Sequence, residues 1–341
     1  MSKIDDLTDK LRKMLAEGVF PPGSRFPSEY DLQERFGVSR MTANKAVSLL
    51  AAEGLLSRGV RGSGTYVNKM TNFPKGWIAA IEEFEHPYNM GMIAGAAQEA
   101  FAQGYMLSVF RPNLNGVGHL MNALIDSDCL GVLGAFYQFD SFPADFPKPV
   151  ICLDSGIEPG RGRQRHSVTC DNYGAAYEMM EKILAADKKN AVMLGIESSP
   201  NRRCRMRGFA DAMTQYGVSD AEKRKFLMHH GSKHEVKLAL QKILRQYPEV
   251  DFIATDSDDI VFRIMQVWES ENIDWSGRIG LSGFGNVHGI ADLHHIPSVN
   301  QHPWHIGVEA VRSLLDMVHN GEPSEPLQIE VPAEVVNAEY I

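Results

Sequence analysis

Four polar residues crowd the first two turns of one helical stretch: Arg40, Thr42, Asn44 and Lys45 follow Ser39, whose hydroxyl suits a helix N-cap. Side chains of these types at the start of a helix can bridge the base edges and phosphates of a nucleic acid. Further on, Arg58-Gly59-Val60-Arg61-Gly62-Ser63-Gly64 sets two arginines among glycines that allow close backbone approach, which suits a phosphate or a minor groove. A second group of residues, Glu82, Glu83, Phe84, Glu85, His86 and Tyr88, combines acceptors with flat aromatic surface, a mixture suited to a polyol. Alternate strand positions face opposite ways, so only some of the three glutamates can point to a ligand. Glu83 and Tyr88 are the ones chosen here.

Other chemistries fail on spacing. His294, His295, His302 and His305 straddle Pro297 and Pro303 without an HExxH pair, and His229, His230 and His234 are split by Gly231 and Ser232 across a helix start. Asp256, Asp258 and Asp259 lack the glycine and the distal glutamate of a calcium loop and read as a cap plus solvated charges. The phosphate cradles GxxxxGK[ST] and strand-linked GxGxxG are absent, as is GxSxG. No catalytic residue, metal or cofactor is expected. Cys129, Cys152, Cys170 and Cys204 form no CxxC pair and read as reduced thiols.

The charge is uneven. Residues 1 to 70 carry 11 Lys/Arg against 8 Asp/Glu, and the rest 23 against 35, within a net charge of −9. A polyanion would therefore meet the mildly basic head, not the acidic body. At 341 residues, with 44% hydrophobic and 23% charged, the chain has the composition of a folded globular protein of two or three domains. The acidic start and the lack of an eighteen-residue apolar run predict no signal peptide, no membrane span and a cytoplasmic location.

The elements that must hold these residues are legible. Ile4, Leu7, Leu11, Met14 and Leu15 repeat at helical spacing with Gly18 to end the turn. Ser28 can cap a second helix that buries Leu32 and Phe36 and stops at Gly37, and Ser39 caps a third with Ala43, Val47 and Leu50 inward. Leu55-Leu56 and Thr65-Tyr66-Val67 read as two strands around the glycine-rich loop. Three helices and a hairpin make a winged helix-turn-helix over 1–68. Residues 69–76, with Pro74 and Gly76, read as a linker. Over 77–341, strands alternate with helices in two series, ending at a helix over 304–319, which predicts two lobes of doubly wound parallel sheet with a cleft at the carboxyl ends of the strands.

PPGSRFPSE, FGVSRMTANKAVSLLAAEGLL and RGSGTYV resemble the DNA-binding domain of the GntR family. The resemblance implies that the third helix enters the major groove, with Arg40 and Thr42 reading bases; Asn44, where the family commonly has a basic residue, can read adenine instead. Arg205-Met206-Arg207-Gly208-Phe209, Thr255-Asp256, Leu281-Ser282-Gly283-Phe284-Gly285-Asn286 and Val299-Asn300-Gln301 resemble the effector domain of the LacI/GalR family, which is similar to periplasmic binding proteins. A GntR head on such a body is similar to arabinose-type repressors. The resemblance implies that Arg205 projects into the cleft toward ligand hydroxyls or a carboxylate. Asp256 is either a sugar acceptor or the N-cap of the next helix, and Asp154 either faces the cleft or is a turn residue. Gly285 stands where the family has a sugar-binding Asp; Gln301 can compensate, and Trp304 either stacks on the sugar or is buried.

The expected function is a sequence-specific DNA-binding regulator, a repressor, acting as a homodimer on double-stranded operator DNA and controlled by a small sugar-like effector. Two rivals are a winged-helix head fused to a sugar-processing α/β enzyme and a DNA-binding dimer without effector response.

Overall fold

The computed structural model describes residues 3–59, 64–68, 74–81, 86–112, 116–134, 146–154, 166–197, 199–272, 277–287 and 294–341. Contacts divide the chain into Met1–Lys75 with Ala102–Tyr105, and Gly76–Phe101 with Met106–Ile341.

In the first unit, α1 (Lys3–Ala16), α2 (Glu29–Phe36) and α3 (Arg40–Ala52) precede a two-stranded antiparallel sheet of β1 (Leu56–Arg58) and β2 (Thr65–Val67). Ser28 forms a reciprocal capping box with Asp31, and Gly37 ends α2 at φ 64, a left-handed conformation that costs glycine little. Leu7, Leu11, Leu32, Ala43, Val47, Leu50 and Leu56 form one core. The inner face expected of the third helix is the one that is buried, leaving its N-terminal polar residues on the surface.

The second unit holds two parallel sheets. The elements are β3 (Trp77–Ile81), α4 (Pro87–Ala102), β4 (Met106–Phe110), α5 (Val117–Asp126), β5 (Cys129–Gly134), β6 (Val150–Leu153), β7 (His166–Cys170) and α6 (Asn172–Ala185). They continue with β8 (Val192–Ile196), α7 (Pro200–Gln215), β9 (Lys225–Met228), α8 (Lys233–Gln246), β10 (Phe252–Thr255), α9 (Asp258–Ser270) and β11 (Gly280–Ser282). Last come β12 (Ser298–Asn300), α10 (Pro303–Asn320), β13 (Gln328–Val331) and β14 (Glu334–Val336). The larger sheet has the order β13-β7-β6-β5-β3-β4 and the smaller β11-β10-β8-β9, with every neighbouring pair parallel. Strands such as Val192–Ile196, buried at every position, need helices on both faces to cover them, which is why they read as unbroken apolar runs.

Three strands were not expected. β13 returns after α10 to pair with β7, and β12 pairs antiparallel with β14. Each has three or four residues, too short to carry a period, and β13 and β14 are mostly surface-facing. Strand β5 is described as far as Gly134, and residues 135–145 lie outside those described. Helix α7 begins at Pro200, because Ser199 caps it and proline is favoured at the first helical position.

Helices α4 and α10 pack with almost no space between them. A Cβ on Gly307 would stand 1.9 Å from the carbonyl oxygen of Met92, and one on Gly95 2.0 Å from that of Trp304. Gly118, in α5, has nothing within 4 Å of its Cβ position. Gly307→Ala should therefore destabilise by about 1 to 3 kcal/mol through overpacking, whereas Gly118→Ala should stabilise by roughly 0.5 to 1 kcal/mol through a less flexible unfolded chain and better helix propensity. Urea midpoints of the two variants test this; equal midpoints would mean that the α4–α10 approach is not a constraint.

Candidate functional site

In the first unit, Ser39 caps α3, its Oγ accepting from the Thr42 amide at 3.1 Å and lying 2.9 Å from the Thr42 hydroxyl. Ser39, Arg40, Asn44 and Lys45 are exposed and Thr42 is half-buried. Asn44 donates from its side-chain amide to Glu29 at 3.2 Å, and Arg58 donates to the Asn44 carbonyl at 3.2 Å and to Ser48 Oγ at 2.9 Å. The two residues are thus held against each other on one side of α3, while Arg40 and Lys45 remain unshielded. Arg61 and Gly62 lie outside the described residues.

In the second unit a pocket of about 250 Å³ gathers residues from the ends of strands in both sheets. This is near the lower end of ligand pockets, roughly 300–1,000 Å³, and fits a small ligand. Tyr88, at the start of α4, and Asp154, just past β6, come from the larger sheet's side. Arg202 and Arg205 on α7, Asp258 and Asp259 at the start of α9, and Phe284 after β11 come from the smaller sheet's side. Gln301 enters from the chain linking β12 to α10.

Arg205 is 6% exposed. Its Nε donates to Asn172 Oδ1 at 2.7 Å, its Nη1 donates to the Asp256 carbonyl at 2.8 Å, and its guanidinium lies 3.9 Å from the centroid of Phe284. A buried guanidinium requires such partners, and stacking on an aromatic face fixes its plane. Asp154 accepts at one oxygen from Thr169 (3.1 Å) and Asn201 (3.0 Å). Burial pushes its carboxyl above the usual range, against the pull of Arg205, Thr169, Tyr88 and Asn201. Tyr88 is buried, which raises its hydroxyl, and that hydroxyl accepts from Gln301 at 3.2 Å. Gln301 also donates to Cys170, whose thiol burial pushes up to about 12, so this cysteine is an inert packing group and not a nucleophile.

Asp256 does not cap α9. Ser257, not Asp256, stands at the N-cap of α9, and the Asp256 carboxylate is fully buried, accepting from the Ile196 amide at 2.8 Å and pairing with Arg202 at 2.9 Å. It is a wall residue behind the pocket, since a carboxylate at that depth needs a cation and an amide. Asp258, read from the sequence as a cap or solvated charge, is buried and lines the pocket. It accepts from Ser298 Oγ and the Val287 amide, both at 2.7 Å, while burial raises its carboxyl. Trp304 is 38% exposed and is neither buried nor among the pocket residues. Glu83 lies outside the described residues.

Sequence reasoning thus brought Arg205, Asp154, Gln301 and Tyr88 to one pocket, had His86 in the polyol-suited group without choosing it, and missed Asn201, Arg202, Asp258, Asp259 and Phe284. Ser199-Pro200 was the available signal for the first two, because a cap followed by proline starts a helix there and turns its first residues toward the strand ends. Phe284 sat inside a motif already recognised, beside a glycine that drew the attention.

Residues 3–67 match the family model "Bacterial regulatory proteins, gntR family", and residues 142–338 match "Periplasmic binding proteins and sugar binding domain of LacI family". The Mannosyl-D-glycerate transport/metabolism system repressor MngR of Escherichia coli (strain K12) is 40% identical over 63 residues, 18% of this chain and 26% of that protein. The Histidine utilization repressor of Klebsiella aerogenes is 42% identical over 78 residues, 22% of this chain and 30% of that protein. The chain therefore spans less than a third of the length of these curated relatives. Among solved structures, a transcriptional regulator CelR-cellobiose complex covers 88% of this chain and 90% of its own, at 16% identity and a TM-score of 0.64. The transcription regulator CcpA of Lactococcus lactis covers 76% and 97%, at 16% identity and a TM-score of 0.65. At such identities the likeness is one of fold.

His86 and Asp259 form an ion pair at 3.3 Å, with side chains 41% and 44% exposed. Asp259 holds His86 above its usual pKa, and His86 holds Asp259 below its own. The histidine's share of stability is complete below about pH 6.5 and is lost as pH rises through its raised value; the aspartate's is present above about pH 4 and is lost as pH falls through its lowered value. The pair is thus strongest between about pH 4 and 6.5. His86→Gln should cost more stability at pH 5.5 than at pH 8, by less than about 1 kcal/mol because the pair is half exposed. Thermal melts at the two pH values check it, and an equal loss at both would show that the pair adds no charge-dependent stability.

Proposed function

This chain belongs to the family of periplasmic binding proteins and LacI-type sugar binding domains, and from that premise we propose that it is a DNA-binding transcriptional repressor whose operator affinity is set by a small sugar-like effector. The observation that carries the reading is the polar pocket around Arg205, at the strand ends of two parallel sheets, on a chain whose head exposes Arg40 and Lys45 at the start of α3. Residues 1–68 would be the DNA-binding domain, 69–76 the linker and 77–341 the effector and dimerisation domain.

On DNA, Arg40 reads a base edge in the major groove with Thr42, Lys45 contacts phosphate, and Ser39 holds the start of the helix. Asn44 and Arg58, tied to each other and to Glu29 and Ser48, position the helix and its wing more than they read sequence, and Arg61 and Gly62, outside the described residues, would contact phosphate or the minor groove. In the pocket, Arg205 donates to ligand hydroxyls, and Asp154, Tyr88 and Gln301 hold the other side. Binding without turnover is the reading favoured here, since no nucleophile–base pair occurs among the described pocket residues; product formation from the bound compound would favour the fused-enzyme rival. The protein works in the cytoplasm, where its DNA is; no helix among the described residues is long and apolar enough to cross a membrane.

The active form is a homodimer, since one reading helix contacts too few base pairs and two-fold symmetric dimers match paired half-sites. Support comes from α4 and β4: Met90 and Phe101 on the helix and Met106 on the edge strand are exposed, a largely uncharged face for a second copy. Sedimentation of the full chain reads this directly, and a monomer both free and on DNA removes it.

Two substitutions separate the sites. Arg40→Ala should cost about 1 to 3 kcal/mol on the specific operator and much less on scrambled duplex. Arg205→Ala should leave operator binding without effector close to wild type and abolish release by effector. Gel shifts on both duplexes, with and without effector, score all four outcomes. An Arg40→Ala loss equal on both duplexes would make it a phosphate contact, and normal effector release by Arg205→Ala would move the effector site elsewhere.

A further inference from the structure

The pocket's charges are unbalanced, and we propose that the effector is a polyol carrying an ammonium group, received by Asp154; this deepens the effector reading above and rests on it. Asp154, Asp258 and Asp259 line the pocket and Asp256 stands behind it, against two guanidiniums, Arg202 and Arg205, and one imidazole, His86. The cations are already engaged. Arg202 pairs with Asp256 at 2.9 Å, His86 with Asp259 at 3.3 Å, and Arg205 is held by Asn172, the Asp256 carbonyl and Phe284. A carboxylate or phosphate entering here would meet three carboxylates and find no lysine among the described lining residues. A cation would meet a surplus of acceptors, two of them buried carboxylates, where charge interactions are stronger than in bulk water.

Two features focus that surplus inward. Asp154 has φ 44, a left-handed conformation that a residue with a side chain adopts at a cost, and it sets its carboxylate on the pocket wall, with one oxygen taken by Thr169 and Asn201 and with Tyr88 and Arg205 as its other neighbours. Gly285, at φ 134, puts no side chain between Asp258 and the pocket: a Cβ there would lie 3.4 Å from Asp258 Oδ2, whose carboxylate is held by Ser298 and the Val287 amide. Burial raises the carboxyls of both Asp154 and Asp258, a strain that a neighbouring cation relieves. For the hydroxyl part of the ligand, Ser257 Oγ is buried in the wall with no hydrogen-bond partner among the described residues.

Matched sugar trios titrated into the full-length protein test this: glucose, glucosamine and glucuronate; galactose, galactosamine and galacturonate; mannose, mannosamine and mannuronate. In the best-binding trio the amine should bind at least about tenfold tighter than the neutral sugar, which is about 1.4 kcal/mol, and the acid should not bind measurably. Asp154→Asn should shrink the amine-to-neutral ratio to below about threefold; if that variant misfolds, Asp259→Asn, on a half-exposed side chain, should lower the same ratio severalfold. A neutral sugar or an acid binding as tightly as the amine overturns the proposal and leaves the effector site standing. If no member of any trio binds while the protein still binds operator, the effector reading itself fails, and this inference with it.

Discussion

A guanidinium that must be buried organises the second unit. Arg205 cannot lie at 6% exposure without replacing the water it gives up, and its replacements come from three different places: Asn172 at the head of α6, the carbonyl of Asp256 past β10, and the ring of Phe284 past β11. One side chain therefore ties α7 to α6 and to the ends of two strands. The carbonyl it uses belongs to a residue whose own carboxylate is locked by Arg202 and the Ile196 amide, so the two arginines, one turn apart on α7, share one buried aspartate. The polarity of the pocket follows from this arrangement, because the groups that satisfy Arg205 on its inner side leave its outer side facing Asp154, Tyr88 and Gln301.

The head was legible almost residue by residue, because its signals are local. Ser28, Gly37 and Ser39 act within one turn of themselves, and the capping box and left-handed stop appear where the sequence places them. The body's alternation of strands and helices was legible for the same reason. What escaped was set by distance along the chain. β13 joins a sheet whose other strands end about 160 residues earlier, and no local pattern announces that pairing.

Depth was the other hidden quantity. Asp256 and Asp258 are two residues apart in an acidic run, and spacing alone gives them similar roles. The structure buries both, puts the first behind the wall and the second in it, and leaves Asp259 paired with His86 at the mouth. Gly285, which the family resemblance marks as a lost acid, proves to sit beside an acid supplied by another element, with Asp258 Oδ2 near the space its own side chain would take. At this place the acidic group of the site comes from the helix start and not from the strand end. A pattern read position by position registers the loss and not the replacement.

Control of DNA binding by a sugar requires one coupling: the pocket and helix α3 must bind their ligands to different arrangements of the same protein. Calorimetric titration of the tightest-binding sugar into the free protein and into the protein saturated with operator measures it directly. Operator should weaken sugar binding by the same factor by which sugar weakens operator binding, about 5- to 150-fold for a coupling of about 1 to 3 kcal/mol. Equal sugar affinity in the two titrations would contradict it and leave a DNA-binding protein that carries an unconnected sugar site.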